Sequence, residues 1–466
     1  TSEDTLRAQF TNPMLFEMPA GDVGVAVVAE AGRQKWGYMP HEGFMNGDIW
    51  GSSAVSGLGE RDRYSLTSEF RLPLMEQLTL SMSGRYDAFK PEGGSTIDKP
   101  TYSLGLEYRP LETLLVRGKY GSAFRAPTLS DLYQGESGSY TSVIDYSQCA
   151  AAGFDPNDSA QIRNCPTDLS NRQVVSTSSG SLDLDAIDAD VWSVGFVYSP
   201  ISRMTITMDY HNWDISDEVT RQSADGLLMQ EYRCNAGLED MNSAMCQATM
   251  AFITRDGMGD ISRIHTPKIN VSNQQLEAMT TSVNYGFSAG GVGDFNARLS
   301  YTQKIRHQIQ EYAGDAYIDQ LNSPYYNTDP KRKGDVSLSW SKGLWSSTIY
   351  ANWIEKTPNY RARLINSIND PWLDINATGN TDALIAQTDP RVVAGMLGSY
   401  TTYNWSLSLN PIEPLTVSLL VNNVFDKMPS VDHSQPASSS EPYNTYNYNV
   451  YGRAFFLEVR YNFGTK

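Results

Sequence analysis

The sequence predicts an all-β fold, the wall of a transmembrane antiparallel β-barrel, on three observations. Apolar and polar residues alternate with period two in fifteen separate runs along the 466 residues, the pattern of strands with one dry and one wet face. Charges recur on the polar face of successive strands, at Glu69, Arg71, Arg85, Asp87, Arg117, Lys119, Glu458 and Arg460, while Tyr, Trp and Phe gather on the apolar face near strand ends. A wet lumen and two membrane interfaces require that distribution. Short turns alternate with loops of about ten to sixty residues, the end-to-end asymmetry of membrane barrels. No run of about 18 apolar residues occurs, so helical spans are excluded.

In chain order, the first run, Met14–Met18, is short and follows polar residues, so Thr1–Thr11 reads as the end of a loop. Val23–Gly32 follows across the turn Ala20-Gly21-Asp22. Tyr64, Leu66, Phe70 and Leu72 oppose Ser65, Thr67, Glu69 and Arg71, and Pro73-Leu74-Met75-Glu76 turns that strand into Leu78–Ala88. Tyr102–Arg109 and Leu114–Tyr120 join through Pro110-Leu111-Glu112, and Asp190–Tyr198 meets Met204–Tyr210 across Ser199-Pro200-Ile201-Ser202. Leu276–Phe287, Phe295–Tyr301, Asp335–Ser341, Trp345–Trp353, Tyr403–Leu409 and Leu415–Val421 repeat the pattern, the last two joined by Pro411-Ile412-Glu413-Pro414. The final run, Arg453–Phe463, sets Phe455, Leu457, Val459, Tyr461 and Phe463 on one face and leaves Phe456 as an exception on the polar one. A soluble sandwich or propeller also alternates, but the charged polar faces disfavour it and no motif recurs at the fixed period of propeller blades. No separate globular domain is expected.

The 53 Asp+Glu against 36 Lys+Arg give a net charge of −17, the wrong sign for neutralising phosphates, so a nucleic-acid partner is excluded. Cys149, Cys165, Cys234 and Cys246 form two close pairs in Gly/Asn/Asp-rich stretches. They lack the CxxC repeats and neighbouring histidines of a zinc site, and local disulfides in an oxidising compartment are the expectation. No GxSxG, HExxH or P-loop is present, so no enzyme is expected. Asp209 and His211 share a strand face and could begin a hydrolase triad, but polar lumen residues are what the architecture already calls for. Asp183, Asp185, Asp188 and Asp190 are hard oxygen ligands in close succession that could take Ca²⁺ at a loop, or form a solvated acidic turn. The long loops carry aromatics for stacking beside polar groups for orientation. Candidate ligand-binding residues are Trp36, Tyr38, Trp50, Tyr133, Tyr140, Tyr146, Tyr325, Tyr326, Tyr360, Arg361, Arg363, Trp372, Tyr443 and Tyr446. Loop packing or an interfacial girdle is the alternative for each.

Three segments carry a family resemblance. Gly121-Ser122-Ala123-Phe124-Arg125-Ala126-Pro127-Thr128-Leu129-Ser130-Asp131-Leu132-Tyr133 resembles the segment by which TonB-dependent outer-membrane receptors leave a barrel strand for a long extracellular loop. Val421-Asn422-Asn423-Val424-Phe425-Asp426-Lys427-Met428-Pro429 is similar to that family's penultimate strand, and Tyr451–Phe463 to its closing strand. The resemblance implies part of a barrel of about 22 strands, with the plug domain and first strands outside this chain, in a Gram-negative outer membrane with its loops outside the cell. It further implies energised uptake of a siderophore or metal chelate, oligosaccharide or peptide. The implied partners are a TonB-type energy-transducing complex acting through the plug, the remainder of the receptor or a complementary chain, outer-membrane lipid and a surface lipoprotein. A non-energised porin or an adhesive barrel is the alternative function.

Overall fold

The computed structural model describes residues 1–49, 53–162, 164–310, 317–321, 330–359, 395–432, 443 and 447–463. Fifteen long strands form one antiparallel sheet in strict chain order. They are β1 (Ser2–Met18), β2 (Gly21–Tyr38), β3 (Gly57–Met75), β4 (Leu78–Pro91), β5 (Ile97–Leu111), β6 (Leu114–Arg125), β7 (Ile187–Tyr198) and β8 (Met204–Arg221). The series continues with β9 (Lys268–Ser288), β10 (Asp294–Gln310), β11 (Arg332–Lys342), β12 (Trp345–Ile354), β13 (Tyr400–Ile412), β14 (Leu415–Asn422) and β15 (Ala454–Tyr461). Every alternating run of the sequence falls on one of them, the last overhanging β15 at both ends. Seven short turns stand at one end of the sheet and the long connections at the other. Among the described residues β1 pairs only with β2 and β15 only with β14.

The first strand corrects one expectation. Residues Ser2 to Asn12 pair with β2 and are strand, not loop. A register shift between Asn12 and Phe16, around Pro13, interrupts the alternation, because proline cannot donate to the ladder. The short run that remains visible is the part on the turn side of that bulge.

The two faces separate as expected. Leu66, Leu104, Val194, Ile349 and Leu457 lie open on one face, an apolar surface suited to hydrocarbon. This belt stops about ten residues above the turns, where Arg33 pairs with Asp62 and Tyr86 donates to Asp98 on the same face. About 9–11 residues cross a bilayer, so the remaining length of β2 to β4 stands above it. The other face holds ion pairs. Arg85 grips Asp87 through two nitrogens, Glu30 accepts from Arg63 at 3.0 Å and Ser65 at 3.2 Å, and Arg117 makes a bidentate pair with Asp209 at 3.0 and 2.7 Å.

The two loop-entry motifs are structural. Thr128 caps the helix Leu129–Tyr133 in a reciprocal box with Asp131, satisfying donors that a helix start leaves free. Asp131 is also held by Lys268 at 2.8 Å. Asn423, at φ 48°, uses its side chain to accept from Lys427 N and donate to Lys427 O, both at 2.9 Å. Asp426 then accepts from Arg453 N at 2.8 Å, which ties the departure from β14 to the entry into β15.

Candidate functional site

The connections 126–186 and 222–267 are not independent loops. They pack together into a compact head over the loop end of β6 to β9. Five short strands form its sheet, in the order Ile253–Arg255, Ile261–His265, Arg172–Ser178, Ser137–Val143 and Ser53–Ala54. The last of these comes from the β2–β3 connection, and Ile261–His265 pairs with Arg172–Ser178 in parallel. Three helices pack with the sheet. Asp145 caps Tyr146–Ala151, Ser223 caps Ala224–Asn235 and Ser243 caps Ala244–Phe252, each side chain accepting from a first-turn amide. Val143, Ile144, Val174, Leu227, Leu228 and Ile264 are buried between them, at about 1.5–3 kcal/mol per large aliphatic side chain. The long connections thus share one packed core although they lie far apart in the chain.

Both expected disulfides are present, Cys149–Cys165 and Cys234–Cys246, with Cα separations of 5.8 and 5.9 Å. The second joins the end of Ala224–Asn235 to the start of Ala244–Phe252. Arg255 links the two connections. Its guanidinium donates to Asp145 at 2.8 and 3.0 Å and to Glu231 at 2.9 and 2.6 Å. The side chains of Asp145 and Glu231 are 0% and 5% exposed. Glu231 and then Asp145 hold the arginine firmly protonated. Asp225 accepts from Ile144 N at 2.9 Å, and burial pushes its carboxyl up to about 6 against that hydrogen bond.

The candidate residues separate by role. Tyr146 is fully buried in the head, so it is a core residue with no surface to offer a ligand. Tyr133 is a strut: its hydroxyl hydrogen-bonds the main-chain carbonyls of Glu60 at 3.0 Å and Glu92 at 2.7 Å. Its ring lies on Gly59, where a Cβ would come within 2.1 Å of it. Gly57 brings Trp36 and Tyr133 together, since a Cβ there would meet the Tyr133 carbonyl at 2.6 Å and the Trp36 ring at 2.9 Å. Tyr38 and Tyr140 are open to solvent, at 47% and 71% exposure, and Tyr443 is half-buried. Trp50, Tyr325, Tyr326, Tyr360, Arg361, Arg363, Trp372 and Tyr446 lie outside the described residues. The four acidic residues do not converge. Asp188 pairs with Lys99 at 2.7 Å, Asp183, Asp185 and Asp190 lie exposed, and no metal-holding group of three or more His, Cys, Asp or Glu occurs among the described residues.

Two of the cavities lined by described residues open on the polar face of the sheet within the barrel wall. One, of about 360 Å³, is lined by Glu69, Glu107, Arg117, Lys119 and Asp209 among serines and glycines. His211 also lines it but stacks on Trp213, with ring centroids 5.3 Å apart, while Asp209 is engaged by Arg117. That is no nucleophile–base arrangement. The second, of about 570 Å³, lies at the loop end of β12 to β15 and is walled by asparagines. Sequence reasoning missed it, although the Phe456 exception pointed there.

The sequence matches, over residues 2–424, the family described as TonB dependent receptor-like, beta-barrel. No curated protein matches it. Among solved structures, a mutant of the ferric enterobactin receptor PfeA from Pseudomonas aeruginosa is similar at 16% identity and TM-score 0.61, covering 98% of this chain and 53% of that one. The siderophore receptor PirA from Acinetobacter baumannii is similar at 12% identity and TM-score 0.59, covering 98% and 55%. The pyoverdine receptor FpvA from P. aeruginosa, bound to pyoverdine, is similar at 13% and TM-score 0.54, covering 99% and 53%. The chain thus spans about half the length of the structures it matches, and at these identities they establish the fold. With the family match covering most of the chain and its fifteen strands in unbroken order, this chain belongs to the TonB-dependent receptor β-barrel family.

Proposed function

We propose that this chain forms much of the barrel wall of an outer-membrane receptor that captures a scarce external ligand and imports it with energy from a TonB-type complex. The family match carries the reading. The structure supports it with an apolar belt for lipid, an ion-paired polar face for a filled lumen, and a disulfide-braced head at the end opposite the short turns. The short turns face the periplasm and the head faces outward. The outer edges of β1 and β15 pair with further strands of the receptor, because an unpaired backbone group in hydrocarbon costs several kcal/mol. Iron chelates, as in the receptors it resembles, oligosaccharides and peptides are the ligand classes.

The test is accumulation of labelled ligand by cells expressing the complete receptor, with and without a protonophore. Uptake that ceases when the proton gradient collapses supports the proposal. Uptake that follows the concentration gradient and ignores the protonophore identifies a passive porin instead.

A further inference from the structure

The asparagine-walled cavity differs from the rest of the polar face. Among the described residues that line it are Asn352, Thr402, Asn404, Asn422, Tyr451 and Phe456, and none of the described lining residues is charged. The register explains how they converge. Asn352 sits directly opposite Thr402, Asn404 and Asn422 stand one step beyond the Trp405–Val421 pair, and Phe456 lies opposite Leu420 on the same face. Lys333 and Asp335 flank this wall one strand away, beside Ile354 and Asn352, and their opposite charges offset each other.

Asn423 in the same wall is consumed by its own turn, and Asn404 Oδ1 accepts from Asn423 N at 2.9 Å. The side chains of Asn352, Thr402 and Asn422 make no hydrogen bond among the described residues. Side-chain amides and a hydroxyl therefore face the cavity with donors and acceptors to offer. Phe456 and Tyr451 also line the cavity and bring two aromatic rings to a polar lumen face. Amides for hydroxyls, aromatic rings for C–H faces and no net charge are the chemistry that recognises a sugar. An anionic metal chelate would call for cations at the wall.

We infer that the wall formed by Asn352, Thr402, Asn404 and Asn422, with Phe456 and Tyr451, is a binding subsite for an uncharged, hydroxyl-rich ligand, an oligosaccharide. The cavity volume of about 570 Å³ lies in the range of about 300–1,000 Å³ that holds small ligands. This deepens the uptake reading and rests on it for the ligand's fate, though not for its binding.

The experiment titrates the complete receptor in detergent, by calorimetry, with neutral hexasaccharides of glucose, xylose and mannose and, in parallel, with a ferric tris-catecholate. A neutral glycan binds the unaltered receptor, and Asn352→Leu, Asn422→Ala and Phe456→Ala each weaken it by about fivefold, the loss of one hydrogen bond or stacking contact. Asn352→Asp keeps the shape, adds a charge and also weakens binding. Ser81→Ala, in the charged cavity, leaves it unchanged, and heat-modifiable mobility confirms that every variant is assembled. Failure of all three glycans to bind, or glycan affinity unmoved by the wall variants, overturns the inference. So does chelate binding that the wall variants abolish while glycans are ignored. Glycan accumulation that ignores a protonophore, with binding still lost in the variants, defeats the uptake reading and leaves the subsite standing.

Discussion

Replacing Arg255 by methionine should loosen the head and leave the barrel wall intact. Among the described residues the arginine is the only partner of the Asp145 and Glu231 carboxylates besides the Gln148 main-chain amide, from which Asp145 accepts. Both carboxylates are nearly closed to water. Removing one partner of such a buried pair costs about 3–5 kcal/mol because a charge is left uncompensated. Arg255 keeps 22% exposure, so the low end, about 3 kcal/mol, is the expected figure. Amide exchange in Tyr146–Ala151 and Ala224–Asn235 should then accelerate by roughly a hundredfold at pH 7. Adding Asp145→Asn and Glu231→Gln should restore much of the loss at pH 7. Exchange in Arg255→Met unchanged from the parent at pH 7, or no slower once Asp145→Asn and Glu231→Gln are added, would refute the reasoning.

Four further outcomes follow. With Asp225 titrating near 6, above its unfolded value, its contribution to head stability is full below about pH 4 and lost as pH rises through 6. Asp225→Asn should flatten that dependence, measured by exchange from pH 4 to 8. Replacing Cys149 and Cys165 by serine removes up to about 3 kcal/mol from the head by the chain-entropy account, while heat-modifiable mobility of the barrel persists. Gly59→Leu drives a side chain into the Tyr133 ring and should displace the helix Leu129–Tyr133 at a cost of about 1–3 kcal/mol, visible as proteolysis near Leu132. Deleting 133–181 should expose the apolar side of Ala224–Asn235, so the remaining connection 222–267 becomes protease-sensitive although its own sequence is untouched.

The wall was legible in the sequence because alternation is local: each strand carries its own record of which face is wet. The disulfide pairing was legible for the same reason, each bond closing a short stretch. The head was not, since Val143, Ile144, Leu228 and Ile264 reach one core from two connections and no periodicity marks residues so far apart. Tyr146 stands in the sequence with both readings open, because an aromatic in a long loop looks the same whether it stacks on a ligand or fills a core. The Ser223 cap before Leu227-Leu228 was the readable signal of a buried helix. The asparagine wall was half legible. Phe456 stood out as an aromatic on the polar face, but only the register shows that Asn352, Asn404 and Asn422 meet there.

The claim that this sheet crosses the outer membrane with its head outside is tested most directly by cysteine labelling of intact cells. The four native cysteines are all disulfide-bonded, so an introduced thiol reports alone. Tyr140→Cys, in the head, and Ile201→Cys, in a short turn, both alter exposed positions at 71% and 54%. A membrane-impermeant maleimide should label the first in intact cells and the second only after the outer membrane is permeabilised. Labelling of Ile201→Cys in intact cells, or protection of Tyr140→Cys until permeabilisation, would contradict the account.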